Sequence, residues 1–138
     1  MQPISELSTV LPLVAVIVGA AFGYVSGRQL ESRKLVLLQK GQAYADYLKA
    51  LATTATDRKS SAVMGLAVDA KTRVCIYGSS KVIRALGNFE EAGAYVARES
   101  GRAAIAQLIQ AMRADLGERG SGVAESDLHL VLFGPENV

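Results

Sequence analysis

Residues 7–25 read LSTVLPLVAVIVGAAFGYV and contain no charged side chain. Roughly 19 residues rising 1.5 Å each cover about 30 Å, the thickness of a bilayer's hydrocarbon core, so the stretch predicts one membrane-spanning helix. Gly19, Gly23 and Gly27 recur every fourth residue, with Ala15 one turn earlier, which puts all four on one face. Along such a face two backbones approach closely, gaining dispersion and weak Cα–H···O contacts that lipid tails do not match. This glycine zipper predicts packing against another membrane helix, first of all that of a second copy of the chain.

Outward from the run, charge sets the topology. Only Glu6 precedes it, whereas Arg28, Arg33, Lys34 and Lys40 follow against Glu31 alone, an excess of +3. Positive residues stay on the cytoplasmic side, so the N-terminus is expected outside and the C-terminal domain in the cytoplasm. The α-amino group opposes this with a single charge. A cleavable leader is opposed by the missing basic n-region, by an apolar run longer than the usual 7 to 15 residues or so, and by the basic residues that follow at once. The same four cations can attract anionic lipid, each worth about 1 kcal/mol near an acidic leaflet. Their first role is to fix orientation.

Beyond the span the pattern stays helical. Leu37, Gly41, Tyr44, Leu48 and Leu51 fall at spacings of three and four, the stripe of an amphipathic helix. The membrane helix is therefore expected to run on as a stalk whose stripe is an interface, with only Tyr47 needing a partner chain to cover it. A polar cluster from Thr53 to Ser61 interrupts it, and Ser60 or Ser61 can cap the next helix. That helix should bury Val63, Leu66, Ala70, Val74 and Tyr77 and end at Gly78. A third should bury Val82, Leu86, Phe89, Gly93 and Val96. A fourth starts near Gly101, carries Ile105, Leu108, Ile109, Met112 and Leu116, and is capped by Gly117. Residues 118–125 read as a flexible loop. The ending alternates like a strand at Leu128, Leu130 and Leu132 but has no second strand to pair with, so a short helix capped by Ser126 and stopped by Gly134-Pro135 is expected, packing Leu132 and Phe133 on the bundle. The fold class is all-α: a short outer segment over 1–6, a transmembrane helix over 7–27, a juxtamembrane stalk over 28–59 and a small cytoplasmic helical bundle over 60–138.

Composition narrows function by exclusion. From Gly41 onward eleven Lys and Arg meet eleven Asp and Glu, so the domain has no basic excess with which to grip nucleic acid. One cysteine, Cys75, allows no intramolecular disulfide and is expected to be a buried small hydrophobe. His129 has no Cys or second His at ligand spacing, so no metal is expected. Adjacent Glu90 and Glu91 diverge on a helix and are expected to be solvated. Arg113 can reach Gln110 or the loop after Gly117. Gly78-Ser79-Ser80-Lys81 resembles an anion cradle, with free amides at a helix start, but lacks the eight-residue phosphate-loop form and reads first as a cap. No cofactor and no enzyme activity are expected.

Three segments, Arg73-Val74-Cys75-Ile76-Tyr77-Gly78-Ser79, Met112-Arg113-Ala114-Asp115-Leu116-Gly117 and Leu132-Phe133-Gly134, resemble those of small bacterial proteins with one N-terminal span and a helical cytoplasmic domain. The resemblance covers about the last half of the chain and carries no activity. It implies a bacterial inner-membrane location and one recurring structural unit, with Tyr77, Arg113 and Phe133 meeting where the C-terminus docks. The expected function is that of a single-pass structural or interaction protein that assembles with itself; the alternative is an accessory subunit whose glycine face meets a different membrane protein.

Overall fold

A computed structural model of the chain describes residues 4–57, 60–118 and 123–135, with side chains from residue 15 onward. It is all-helical among the described residues: α1 (Ile4–Thr56), α2 (Ser61–Tyr77), α3 (Ser80–Glu91), α4 (Glu99–Asp115) and α5 (Glu125–Phe133). The chain divides after Leu37 into two compact units, and α1 contributes to both. Among the described residues no helix is long and apolar enough to cross a membrane. The expected span includes Leu7–Val14, whose side chains lie outside the described residues.

In the N-terminal unit α1 continues through Pro12, and every side chain from Ala15 to Leu37 is exposed, including Val16, Ile17, Val18, Phe22, Leu30 and Leu35. The second unit is a bundle. Phe89, Leu108, Val74 and Val82 are its fully buried large side chains, joined by Leu86, Ile105, Met112, Tyr44 and Tyr47. The spacing-derived faces of α3 and α4 are thus the core faces, and these two helices form the most closely packed pair.

Local chemistry explains where the helices stop. The side chain of Ser60 accepts from the Val63 amide at 3.4 Å and starts α2. Both α3 and α4 end in the paired hydrogen bonds of a Schellman motif: Ala94 N–H to the Phe89 carbonyl and Gly93 N–H to that of Glu90, then Glu118 N–H to Arg113 and Gly117 N–H to Ala114. Gly93 and Gly117 supply the positive φ this turn needs. At Gly101 the demand is for space, since a Cβ there would lie 2.0 Å from the Tyr95 carbonyl oxygen.

Several expectations are corrected. Gly93 and Val96 lie beyond the end of α3, because the left-handed residues Gly93 and Ala94 turn the chain there. Leu66 and Leu132 are exposed, so α2 packs through Ala70 and Val74 and α5 through Phe133. Cys75 is exposed, one position past the buried Val74 and hence rotated off the core face. Tyr47 needs no partner chain, being 4% exposed within its own bundle. The short C-terminal helix forms as expected and Gly134 follows its end, but Ser126 falls inside the first turn; Asp127 Oδ2 instead accepts from the Ala124 amide at 3.2 Å. Residues 119–122 of the expected loop lie outside the described residues.

Candidate functional site

The densest polar constellation is built around Asp115, in the last turn of α4. A carboxylate at a helix C-terminus faces the negative end of the backbone dipole, so it needs compensation from elsewhere. Lys40 supplies a charge, its Nζ lying 3.1 Å from Oδ1 and 3.0 Å from Oδ2. Tyr44, one turn further along α1, donates its hydroxyl to Oδ2. The Ser79 amide, at the start of α3, points at the same oxygen from 3.4 Å. One side chain therefore ties α1, the α2–α3 junction and the end of α4 together.

The junction leaves little room. A Cβ on Gly78 would lie 3.5 Å from the Tyr44 hydroxyl, 3.3 Å from Val82 Cγ1 and 2.6 Å from the Val74 carbonyl oxygen. Glycine here serves close approach, since its φ of −72° is open to any residue.

Electrostatics fixes the protonation of the pair. Burial pushes the Tyr44 hydroxyl well above the usual tyrosine range, and its hydrogen bond to the Asp115 carboxylate and that group's charge push it further, against a smaller opposing effect of the Ser79 backbone. Burial alone would raise Asp115, but the Tyr44 and Lys40 hydrogen bonds, the Lys40 charge and the Ser79 amide outweigh it and hold the carboxyl below its ordinary value. Tyr44 stays a neutral donor and Asp115 a charged acceptor at neutral pH. This arrangement locks three segments together.

Two further polar links surround it. Tyr47 is raised by burial first, then by the charge of Glu90 and a hydrogen bond to it, and Glu90 is paired in turn with Lys71 at 2.7 Å. Glu90 thus joins α1, α2 and α3, where adjacent solvated carboxylates were expected. Arg73 bridges Asp69 at 3.0 Å and Asp46 at 3.4 Å, beside a groove of about 280 Å³ between α1 and α2 walled by Ala50, Val63 and Leu66.

The expected site residues divide between the units. Of the stalk stripe, Tyr44 is buried, Leu48 and Leu51 pack on the same core, and Gly41 faces Leu116, from which a Cβ would be 3.8 Å away; Leu37 is exposed. The stripe past Leu37 is consumed inside the bundle. Ala15, Gly19, Gly23 and Gly27 are exposed, and a Cβ on any of these glycines meets nothing within 4 Å. Arg28, Arg33 and Lys34 are exposed as well, but Lys40, grouped with them by sequence, is turned to Asp115 with its side chain 19% exposed.

Two of the three residues expected to meet, Arg113 and Phe133, have partners elsewhere. Arg113 pairs with Glu118 at 3.3 Å, in the loop after Gly117 as expected. Phe133 instead carries the Arg102 guanidinium 5.2 Å above its ring and His129 at 5.0 Å. What the motif segments do bring together is Gly78-Ser79 and Asp115. The anion cradle suggested by the free amides at Ser79 holds an anion from the chain itself. Among the described residues no three His, Cys, Asp or Glu side chains group to hold a metal. No family model, no curated protein and no solved structure matches the chain.

Proposed function

We propose that this chain is a membrane-anchored structural or interaction protein, held by the N-terminal part of α1 with its N-terminus outside, that displays a small helical bundle in the cytoplasm and assembles with copies of itself along Ala15, Gly19, Gly23 and Gly27. The observation that carries the reading is the N-terminal unit: a helix whose large apolar side chains, Val16 to Val25, are all exposed and which has no charge between Leu7 and Val25. In water such a surface is costly, about 25 cal/mol per Å², and a contiguous exposed apolar face marks a membrane or partner contact. The bundle supports the division of labour, since its own stripe is already covered.

The test is carbonate extraction of membranes from cells expressing the full chain, followed by native mass spectrometry in mild detergent. The wild type should stay in the membrane, and Val16→Arg, at the middle of the span, should be released, because a central Arg costs about 3 kcal/mol on insertion. Release of the wild type would overturn anchoring. A single multiple of the chain mass, reduced by Gly19→Leu with Gly23→Leu, supports self-assembly; a monomer or a mass that includes a foreign chain opposes it.

A further inference from the structure

Resting on that anchoring, we propose that Tyr24, Arg28, Gln29 and Arg33 form a binding groove for the phosphate headgroup of an anionic phospholipid. These residues, with Val25 and Ser32, line one shallow groove on the N-terminal unit. Positions 24, 28 and 32 and positions 25, 29 and 33 are two neighbouring rows at helical spacing, so the groove follows from the helix itself. It carries two guanidinium groups and no carboxylate. Glu31 and Lys34 lie outside it, and among the described residues neither Arg28 nor Arg33 has an ion-pair partner.

The donors suit a phosphate. Each guanidinium offers a planar fork that matches two phosphate oxygens, which an ammonium does not, and the Gln29 amide sits in the groove with them. The Ser32 hydroxyl donates to the Arg28 carbonyl at 3.0 Å, so its proton is already used and its small size leaves the groove open. Tyr24 and Val25 close the end next to the apolar run, where an aromatic ring sits at headgroup level. The groove offers a cationic ligand such as choline no anionic acceptor.

Position decides which of the four cations take part. Gly19, Gly23 and Gly27 run along the side of the helix roughly opposite the groove, so a neighbouring helix and a lipid can be engaged at once. Lys34 projects away from the groove, and Lys40 is committed to Asp115. The charge cluster after the span thus resolves into two binding arginines, one uninvolved lysine and one structural lysine.

The test is native mass spectrometry of the full-length chain from vesicles of phosphatidylcholine containing a minor fraction of phosphatidylglycerol, with insertion scored separately by carbonate resistance. The wild type should retain phosphatidylglycerol selectively. Arg28→Gln and Arg33→Gln should each reduce retention about fivefold, while Lys34→Gln, which removes the same charge, should change it less than twofold. Equal losses in all three variants would overturn the groove in favour of diffuse charge, and equal retention of both lipids would overturn it as an anionic site. Displacement by millimolar glycerol 3-phosphate would reassign the groove to soluble phosphates. An inserted chain without lipid preference overturns the groove alone, whereas a chain that does not insert overturns the anchoring and the groove with it.

Discussion

Phe22 and Phe89 are the same side chain in two regions of opposite character. Phe22 is 77% exposed in the N-terminal unit and Phe89 is fully buried in the bundle. Around Phe22 every side chain from Ala15 to Leu37 is exposed. Phe89 belongs to a core to which α1, α2, α3 and α4 all contribute. The difference shows that apolar content alone does not make a core. The first region leaves its apolar surface uncovered, and the second has closed on itself.

Truncating the two rings should have unequal consequences. Phe89→Ala should destabilise the bundle by about 4 kcal/mol, transfer and cavity costs together, as read by chemical denaturation. Phe22→Ala should leave that transition unchanged within about 0.5 kcal/mol. Equal effects would mean that the N-terminal unit is part of the cooperative fold.

The lock at Asp115 comes next in size. Asp115→Ala removes the acceptor of Tyr44 and the partner of Lys40, and should cost about 3 kcal/mol, since hydrogen bonds to a charged group are worth about 1.5 to 3 kcal/mol. The carboxyl is held below its ordinary value in the folded chain, so its contribution is fully present above the unfolded value, about 3.9, and fades as pH falls through the folded one. Denaturation midpoints measured from pH 6 down to pH 2 should therefore fall less steeply for Asp115→Asn than for the wild type. Parallel curves would remove Asp115 from the acid response.

The smallest effect sharpens the picture of the α3–α4 turn. Ala94 holds a φ of +48°, a conformation that costs a residue with a Cβ about 1 to 2 kcal/mol. Ala94→Gly should raise stability by somewhat less, about 0.5 kcal/mol, because the unfolded chain gains freedom as well. A loss of stability would show that the methyl group, packed against the core, outweighs the backbone strain.

Much of the bundle was legible from spacing. Val82, Leu86 and Phe89, and Ile105, Leu108 and Met112, are core by the three-and-four rule alone, and Ser60 and Gly117 mark helix ends by local chemistry. The errors cluster where local and long-range information diverge. The α3 stripe could be continued on paper through Gly93 and Val96, but the chain turns there. Leu66 obeys the helical period of α2, yet the groove beside α1 leaves it exposed.

The site shows the same limit. Lys40 reads as one of four juxtamembrane cations and Asp115 only as a member of the Met112–Gly117 segment, because nothing at 75 residues' separation in sequence announces a pair. One usable signal was present: free amides before α3 ask for an anion, and the segments around Ser79 and Asp115 stood out together. Identifying that anion as Asp115 required the helices in place.

Spacing and composition within a few turns specify the helices, most of their ends, the charge-free run with its small-residue row and the cations after it. Tertiary structure alone decided that the stripe from Gly41 to Leu51 closes on its own bundle, that Lys40 turns to Asp115 while Arg28 and Arg33 stay exposed, and that Tyr47 is covered without a second chain. The physical reason is that burial and charge pairing are relations between distant segments, and periodicity marks a face without saying what covers it.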